Sequence, residues 1–348
     1  MRFIGVDLHP TSLTACYLTE AGTETLQTYP LTQWPQFHES LQPTDRVAVE
    51  ATGNTRHFVG QLAGVVAEVV VVNPSQFEVI RKSTKKCDRH DARALALFLS
   101  KDLLPTARLK SELAAAINSL AQTRDRLVKL RTTLQNKLHA LVVARGEQSR
   151  KSAFSSERGL GAVLEREWSA TTRVEVEVIV AQIRSLNESL KRLDAELKAS
   201  GAQLEGFNNL VTIKGVGERA AAILLSVIGD VADFDSEEKL ASYFGVVPRV
   251  ANSNETVQHG RITKRGSKLG RTTLVQCTLV AIKYSTYLRA FYDKLKAKKG
   301  AGKAIIATAR KFLGVIYRTL KYNWVFEDFP NFVLVEGQNL NLGVDNSS

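Results

Sequence analysis

Cysteine is scarce in this chain of 348 residues: Cys16, Cys87 and Cys277 are the only three, far apart in sequence. An odd number of thiols with no CxxC pair excludes a disulfide scaffold and a cysteine zinc site, and points to a reducing compartment. Apolar runs of membrane-spanning length are also missing. The longest candidate, residues 65–72, is interrupted by Glu68 and followed by Asn73-Pro74, so it reads as a buried strand. The first residues, Met1-Arg2-Phe3-Ile4-Gly5-Val6-Asp7, have neither the h-region nor the cleavage site of a signal peptide. The expectation is a cytoplasmic protein with no membrane partner. With 44% hydrophobic and 24% charged residues, the chain is neither disordered throughout nor collagen-like, and its length suits two or three domains.

Acidic residues are nearly absent from one long block. Residues 239–321 carry 18 Lys and Arg but only Glu255 and Asp293, and no basic residue follows Lys321. Residues 1–78, by contrast, carry 3 basic and 8 acidic side chains. The net charge of +12 is therefore concentrated in the C-terminal third. So dense a block reads as a surface for the phosphate backbone of a nucleic acid, because each neutralised phosphate releases condensed counterions. The plainer alternative is a solvated basic face.

Strand and helix signals alternate over the first hundred residues. Strands are expected at 3–7, 13–19, 23–29, 47–50 and 68–72, with a hairpin at Ala21-Gly22. Helices are expected at 34–41, 55–63 and 89–99. The order βββαβαβα implies a mixed α/β sheet. From Ser111 the period changes. Leu113, Ile117, Leu120, Leu127, Leu134, Leu138 and Leu141 form one heptad seam, interrupted by Arg124 and Arg131. Beyond a polar stretch at 146–161, Val176, Ile179, Ile183, Leu186, Leu190, Leu193 and Leu197 form another. Two such seams predict a coiled-coil hairpin or oligomerisation arm. Then Ile213-Lys214-Gly215-Val216-Gly217 before an apolar helix resembles the turn of a helix-hairpin-helix, whose amides can hold a phosphate. Residues 294–303 read as a basic loop, and 337–348 as a polar tail. The expected domains are 1–105, an arm at 106–203, a mainly helical basic domain at 204–330 and a tail at 331–348.

Four carboxylates have informative positions. Asp7 and Glu50 each close an apolar strand, so neighbouring strands would bring both to one sheet end, where open α/β sheets place their sites. Asp88 and Asp91 lie three apart at a helix start and share a face. Four converging carboxylates repel unless divalent cations neutralise them, and two such cations suit phosphoryl transfer. On spacing alone the plainer reading also stands: strand-end turn residues, a helix N-cap and a dipole partner.

The segments Ile4-Gly5-Val6-Asp7, Glu50-Ala51-Thr52-Gly53 and Lys86-Cys87-Asp88-Arg89-His90-Asp91-Ala92-Arg93 resemble the DEDD motif of the transposases of insertion-sequence family one hundred and ten, which include the Piv DNA invertases. Residues 213–229, Tyr243-Phe244-Gly245-Val246-Val247-Pro248-Arg249 and Gly260-Arg261-Ile262-Thr263-Lys264-Arg265-Gly266 are similar to that family's second conserved domain. The resemblance runs to about residue 325. It implies a RuvC-like (RNase H-like) N-terminal domain in which Asp7, Glu50, Asp88 and Asp91 bind magnesium. It also implies a serine nucleophile at Ser253, although Asn254 stands where glycine commonly follows. Further implications are DNA as donor and target, a structured guide RNA, a homo-dimer or homo-tetramer whose composite site can draw on two protomers, and a nucleoid-associated place in a prokaryotic cell. Lys214, Gly215, Gly217, Arg249, Arg261, Lys264, Arg265, Lys268 and Arg271 are the expected nucleic-acid contacts. Two other readings stay open: a junction-resolving nuclease that uses water, and a non-catalytic nucleic-acid-binding protein.

Overall fold

The computed structural model describes residues 1–74, 76–77, 87–150, 152–253 and 256–323, with side chains outside 250–253 and 256–259. The chain divides into two compact units, residues 1–109 and 110–348.

The first unit is a mixed α/β layer structure. Five strands, β1 (Arg2–Leu8), β2 (Ser12–Thr19), β3 (Glu24–Pro30), β4 (Arg46–Glu50) and β5 (Glu68–Val72), form one sheet in the order β3-β2-β1-β4-β5. The first three strands run antiparallel in sequence, while β4 and β5 continue the sheet in parallel with β1. Short apolar strands with period-2 alternation explain the layering. Ile4, Val6, Val47 and Val49 bury against Phe37 of α1 (Trp34–Glu39) and against Phe58 and Leu62 of α2 (Thr55–Leu62). Their alternates Phe3, Ala48, Val70 and Val72 bury with Leu95 and Leu99 of α3 (Asp88–Leu99). Among the described residues of this unit the expected order of strands and helices is observed, in keeping with a RuvC-like fold. The fully buried Asp45 holds the start of β1: Arg2 donates to it from Nε at 2.9 Å and Nη2 at 2.6 Å, and the Gln42 amide adds a third bond at 2.8 Å.

The second unit is mainly helical. Two helices of 32 residues, α4 (Glu112–Val143) and α6 (Ala170–Gly201), are each opened by a serine N-cap, Ser111 and Ser169. They flank the short α5 (Glu157–Leu164), which begins within the stretch read as polar and runs past its end. The apolar seams face inward within the one chain. Leu138 and Val142 pack with Val176, Ile179, Val180 and Ile183 around the buried Phe154. The seam arginines meet partners across the pair: Arg124 Nη2 donates to Asp194 Oδ2 at 3.0 Å, and Arg131 Nη1 to Asn187 Oδ1 at 2.9 Å. At their base, Ile117, Ala121 and Leu197 belong to the large core of this unit. That core is built by α7 (Phe207–Thr212), α8 (Glu218–Ile228), α9 (Glu237–Tyr243), α10 (Lys268–Tyr284), α11 (Thr286–Lys299) and α12 (Ala301–Lys321).

The mainly helical region also holds a β-element that the sequence reading did not name: β6 (Pro248–Ser253) and β7 (Thr256–Ile262) form an antiparallel hairpin. One expectation needs correction. The basic stretch 294–303 is not a loop. It is the end of α11 and the start of α12, broken only at Gly300 with φ 78°. Lysine is a good helix former, so a run of charge is no obstacle to helix. Among the described residues, no helix is long and apolar enough to cross a membrane.

Candidate active site

Strand alternation that sends Phe3 and Gly5 toward α3 sends Asp7 the same way, and in β4 it sends Glu50 there after Ala48. The parallel register pairs Val6 with Val49, so Asp7 and Glu50 lie at the same end of adjacent strands. Gly5 lets α3 come down onto the sheet. A Cβ there would fall on the carbonyl oxygen of Ala92 and the amide nitrogen of Ala96. That contact fixes the helix start, with Asp88 and Asp91 in its first turn, beside the end of β1.

The closest cluster includes a residue outside the sequence expectation. His9 Nε2 lies 3.2 Å from Asp7 Oδ2 and 3.4 Å from Asp88 Oδ1. One ligand atom from each of Asp7, His9 and Asp88 falls within 4.8 Å of the others. Asp7 is the enclosed member, with 15% of its side chain exposed against 53% for Asp88. Burial pushes the Asp7 carboxyl above its ordinary range; His9 pulls it down, and the charges of Asp88 and Asp91 push it up again. Such a set, rich in oxygen donors, fits a divalent cation.

The loop after Glu50 is tied in by hydroxyls. Thr55 Oγ1 donates to the Glu50 carbonyl at 2.7 Å and accepts from the Thr52 amide at 2.8 Å. Thr52 Oγ1 donates to Asn54 Oδ1 at 2.8 Å.

In the second unit, Ser253 is the last residue of β6 and pairs with Thr256 across the hairpin end. Asn254, which stands where glycine commonly follows the serine, lies outside the described residues, as does the side chain of Ser253. The other end of the hairpin is clamped. Gly245 (φ 66°) presses on the backbone of Lys264 and Arg265, and Lys264 itself is left-handed at φ 55°. Arg271 Nη1 donates to three carbonyls, Phe244 at 3.2 Å, Arg265 at 2.6 Å and Gly266 at 3.2 Å. Beside the hairpin opens a cleft of about 1090 Å³. Arg261, Lys264, Lys299, Lys303 and Arg310 line it over a floor that includes Val246, Ile262 and Ile306.

Residues 4–144 match the DEDD transposase family of the IS110 type, and residues 208–293 match the transposase IS116/IS110/IS902 family. Together the two matches cover well over half of the chain. The chain belongs to the IS110 family of transposases. It is 28% identical over 282 residues to the transposase for insertion sequence element IS1111A of Coxiella burnetii, covering 79% of this chain and 77% of that protein. It is 27% identical over 298 residues to the transposase for insertion sequence element IS1328 of Yersinia enterocolitica, covering 82% and 86%. It is also similar to the pilin gene-inverting protein of Moraxella lacunata, 26% identical over 345 residues, covering 93% and 97%. A transposase acts on DNA, and the DEDD domain indicates use of a divalent metal.

Within this IS110-family transposase, Asp7, Asp88 and Asp91 share one locality and Glu50 closes the neighbouring strand. Arg249, Arg261, Lys264, Arg265 and Lys268 are exposed. Arg271 is half-buried and committed to the carbonyls that shape the 244–266 turn. Gly215 (φ 113°) serves packing, since a Cβ there would meet the Ala281 amide and the Cys277 carbonyl of α10. Gly217 is open, and Lys214 Nζ stands 5.9 Å from the Tyr284 ring centroid. His9, Lys299, Lys303 and Arg310 were not expected at these sites. For His9 the available signal was its spacing of two from Asp7, which puts both on one face of an extended strand.

Proposed function

We propose that this transposase cleaves and exchanges DNA strands in a magnesium-dependent reaction through a covalent bond between DNA and Ser253. The observation that carries this reading is the convergence of Asp7, Asp88 and Asp91 on one locality, with Glu50 closing the neighbouring strand at the same sheet end. When bound there, magnesium supplies charge stabilisation for a phosphoryl group in transfer. The chain's own residues do the rest. Asp7 is held by the sheet and Asp88 and Asp91 by the first turn of α3, so their spacing is set by backbone.

Ser253 closes β6 at one end of the hairpin, and the basic cleft that suits DNA phosphates lies along the same hairpin toward Pro248 and Ile262. In the covalent step a bond forms between the Ser253 oxygen and phosphorus as one phosphorus–oxygen ester bond to deoxyribose breaks. The proton leaving the hydroxyl ends on the departing sugar oxygen. The phosphodiester energy is thereby kept for rejoining. The basic cleft and the open start of α8 at Gly217, read as a helix-hairpin-helix, suit backbone contacts to DNA and to a structured guide RNA. The α4–α6 pair suits a coiled-coil arm of a homo-oligomer, since Leu130, Val143, Val174 and Val178 stay exposed on it.

Peptide mapping of the adduct trapped on a nicked substrate tests the reading. Ser253→Ala is expected to fold and bind DNA, form no adduct, and lose strand exchange by about 10³ or more. Cleavage with no adduct in the wild type would favour hydrolysis by water instead. Sequencing of nucleic acid that co-purifies tests the guide RNA.

A further inference from the structure

We propose that the cavity beside the metal-binding carboxylates receives one unpaired base of the DNA strand being cut. The inference rests on the cleavage centre proposed above. The cavity measures about 670 Å³ and lies where the end of β1, α1 and the start of α2 meet. Leu31, Trp34 and Phe58 supply an apolar, aromatic wall. His9, Asn54 and His57 supply a polar rim.

Three observations point to a nucleobase. The first is size and lining. A site of a few hundred Å³ or more that combines aromatic surface with a few polar groups suits a flat heterocycle. The second is the setting of Trp34. Its ring is held by Phe37 at 5.4 Å and, edge-on, by Phe58 at 5.6 Å, yet it still lines the cavity. An indole fixed in this way is a stacking platform whose ordering is complete before the ligand arrives. The third is position. His9 belongs both to the cavity rim and to the cluster with Asp7 and Asp88. A phosphate engaged at those carboxylates therefore has its own sugar and base beside the cavity mouth. The loop forming the far rim is tied to the same place, since Asn54 Nδ2 donates to the His9 carbonyl at 3.5 Å.

Among the described residues the cavity is lined by no lysine or arginine, which suits the base itself better than a backbone phosphate. An extruded base would leave the duplex unstacked next to the scissile bond, at a cost that is least for a strand already unpaired.

Fluorine resonances of protein labelled with 5-fluorotryptophan test this directly. The chain has three tryptophans, Trp34, Trp168 and Trp324, and Trp34→Phe assigns the first. A short single-stranded oligodeoxynucleotide of mixed sequence should shift the Trp34 resonance and leave Trp168 unmoved. A backbone of equal length made of abasic units should bind through its phosphates without moving Trp34. Trp34→Ala should weaken oligonucleotide binding about five- to a hundredfold, the span of base–aromatic stacking. His57→Glu, at an exposed position of α2, should weaken it also and keeps the test open if Trp34→Ala fails to fold. No Trp34 shift with bound oligodeoxynucleotide, or an equal shift with the abasic strand, overturns the inference. A larger shift with an oligoribonucleotide would assign the cavity to RNA and overturn it as well. Manganese binding, followed by electron paramagnetic resonance in wild type and Asp7→Asn, reports separately on the cleavage centre. Manganese bound with Trp34 silent removes the base site alone. Absence of manganese binding removes the metal reading.

Discussion

Asp7 is held in a setting that disfavours its charge. Burial and the neighbouring Asp88 and Asp91 keep its carboxyl above the ordinary value of 3.8, with His9 only partly opposing them. A carboxyl raised in this way contributes stability that is complete below its unfolded value and is lost as pH rises through its folded value. At neutral pH the metal-free protein therefore carries a penalty at this residue. Asp7→Asn should raise the melting temperature of the metal-free protein at pH 7 by about 2 °C, and should abolish strand cleavage. Magnesium should raise the melting temperature of the wild type and not that of the variant. Differential scanning calorimetry with and without chelator measures both. A variant that melts lower without metal would mean that the His9 contact outweighs burial and the two acidic neighbours.

Elements set what the residues can do. The contact of α3 with β1 at Gly5 leaves no room for a side chain, and the helix that would be displaced carries Asp88 and Asp91. Gly5→Ala should cost about 1–3 kcal/mol in stability, as overpacking does, measured by chemical denaturation. It should reduce cleavage further than that loss explains, because the carboxylate spacing changes. In the α4–α6 pair, burial works against the Asp194 charge, but the hydrogen bond and charge of Arg124 outweigh it, with Arg219 adding; the carboxyl is held below its ordinary range. That stability is present above the unfolded value and is lost as pH falls through the folded one. Arg124→Ala should therefore move acid unfolding of the second unit to higher pH and cost about 1 kcal/mol at pH 7, as followed by circular dichroism. The sequence made β1–β5, α1–α3 and both long helices legible, because period-2 strands and heptad seams are strong local signals. It hid the β6–β7 hairpin, which is sparse in paired apolar residues, and the helical ends of α11 and α12, where lysines masked a good helix. His9 was hidden for another reason: its approach to Asp88 exists only once α3 has folded back onto the sheet.

At the scale of the whole molecule, charge is partitioned along the chain, 3 basic to 8 acidic residues over 1–78 and 18 to 2 over 239–321. DNA affinity should fall steeply with salt, by about 0.9 log unit per log unit of salt for each phosphate contacted. Charge reversal at Lys264, Arg265 and Lys268, or at Lys299 and Lys303 in the cleft, should weaken binding across sequences and flatten that slope. Fluorescence anisotropy at several salt concentrations measures it, and a flat wild-type slope would remove the phosphate surface from consideration. The long helical pair has a mechanical consequence. Its base is built into the core through Ile117, Ala121 and Leu197, while Arg124–Asp194 and Arg131–Asn187 act as rungs that stop one helix sliding past the other. From Ile117 and Leu197 to their far ends, the two 32-residue helices reach about 40 Å beyond that base. The pair therefore behaves as a lever of fixed length: a tilt of roughly 10° at the core sweeps the tip through about 7 Å, and a small repacking around α8 becomes a displacement wider than a helix radius at the far end.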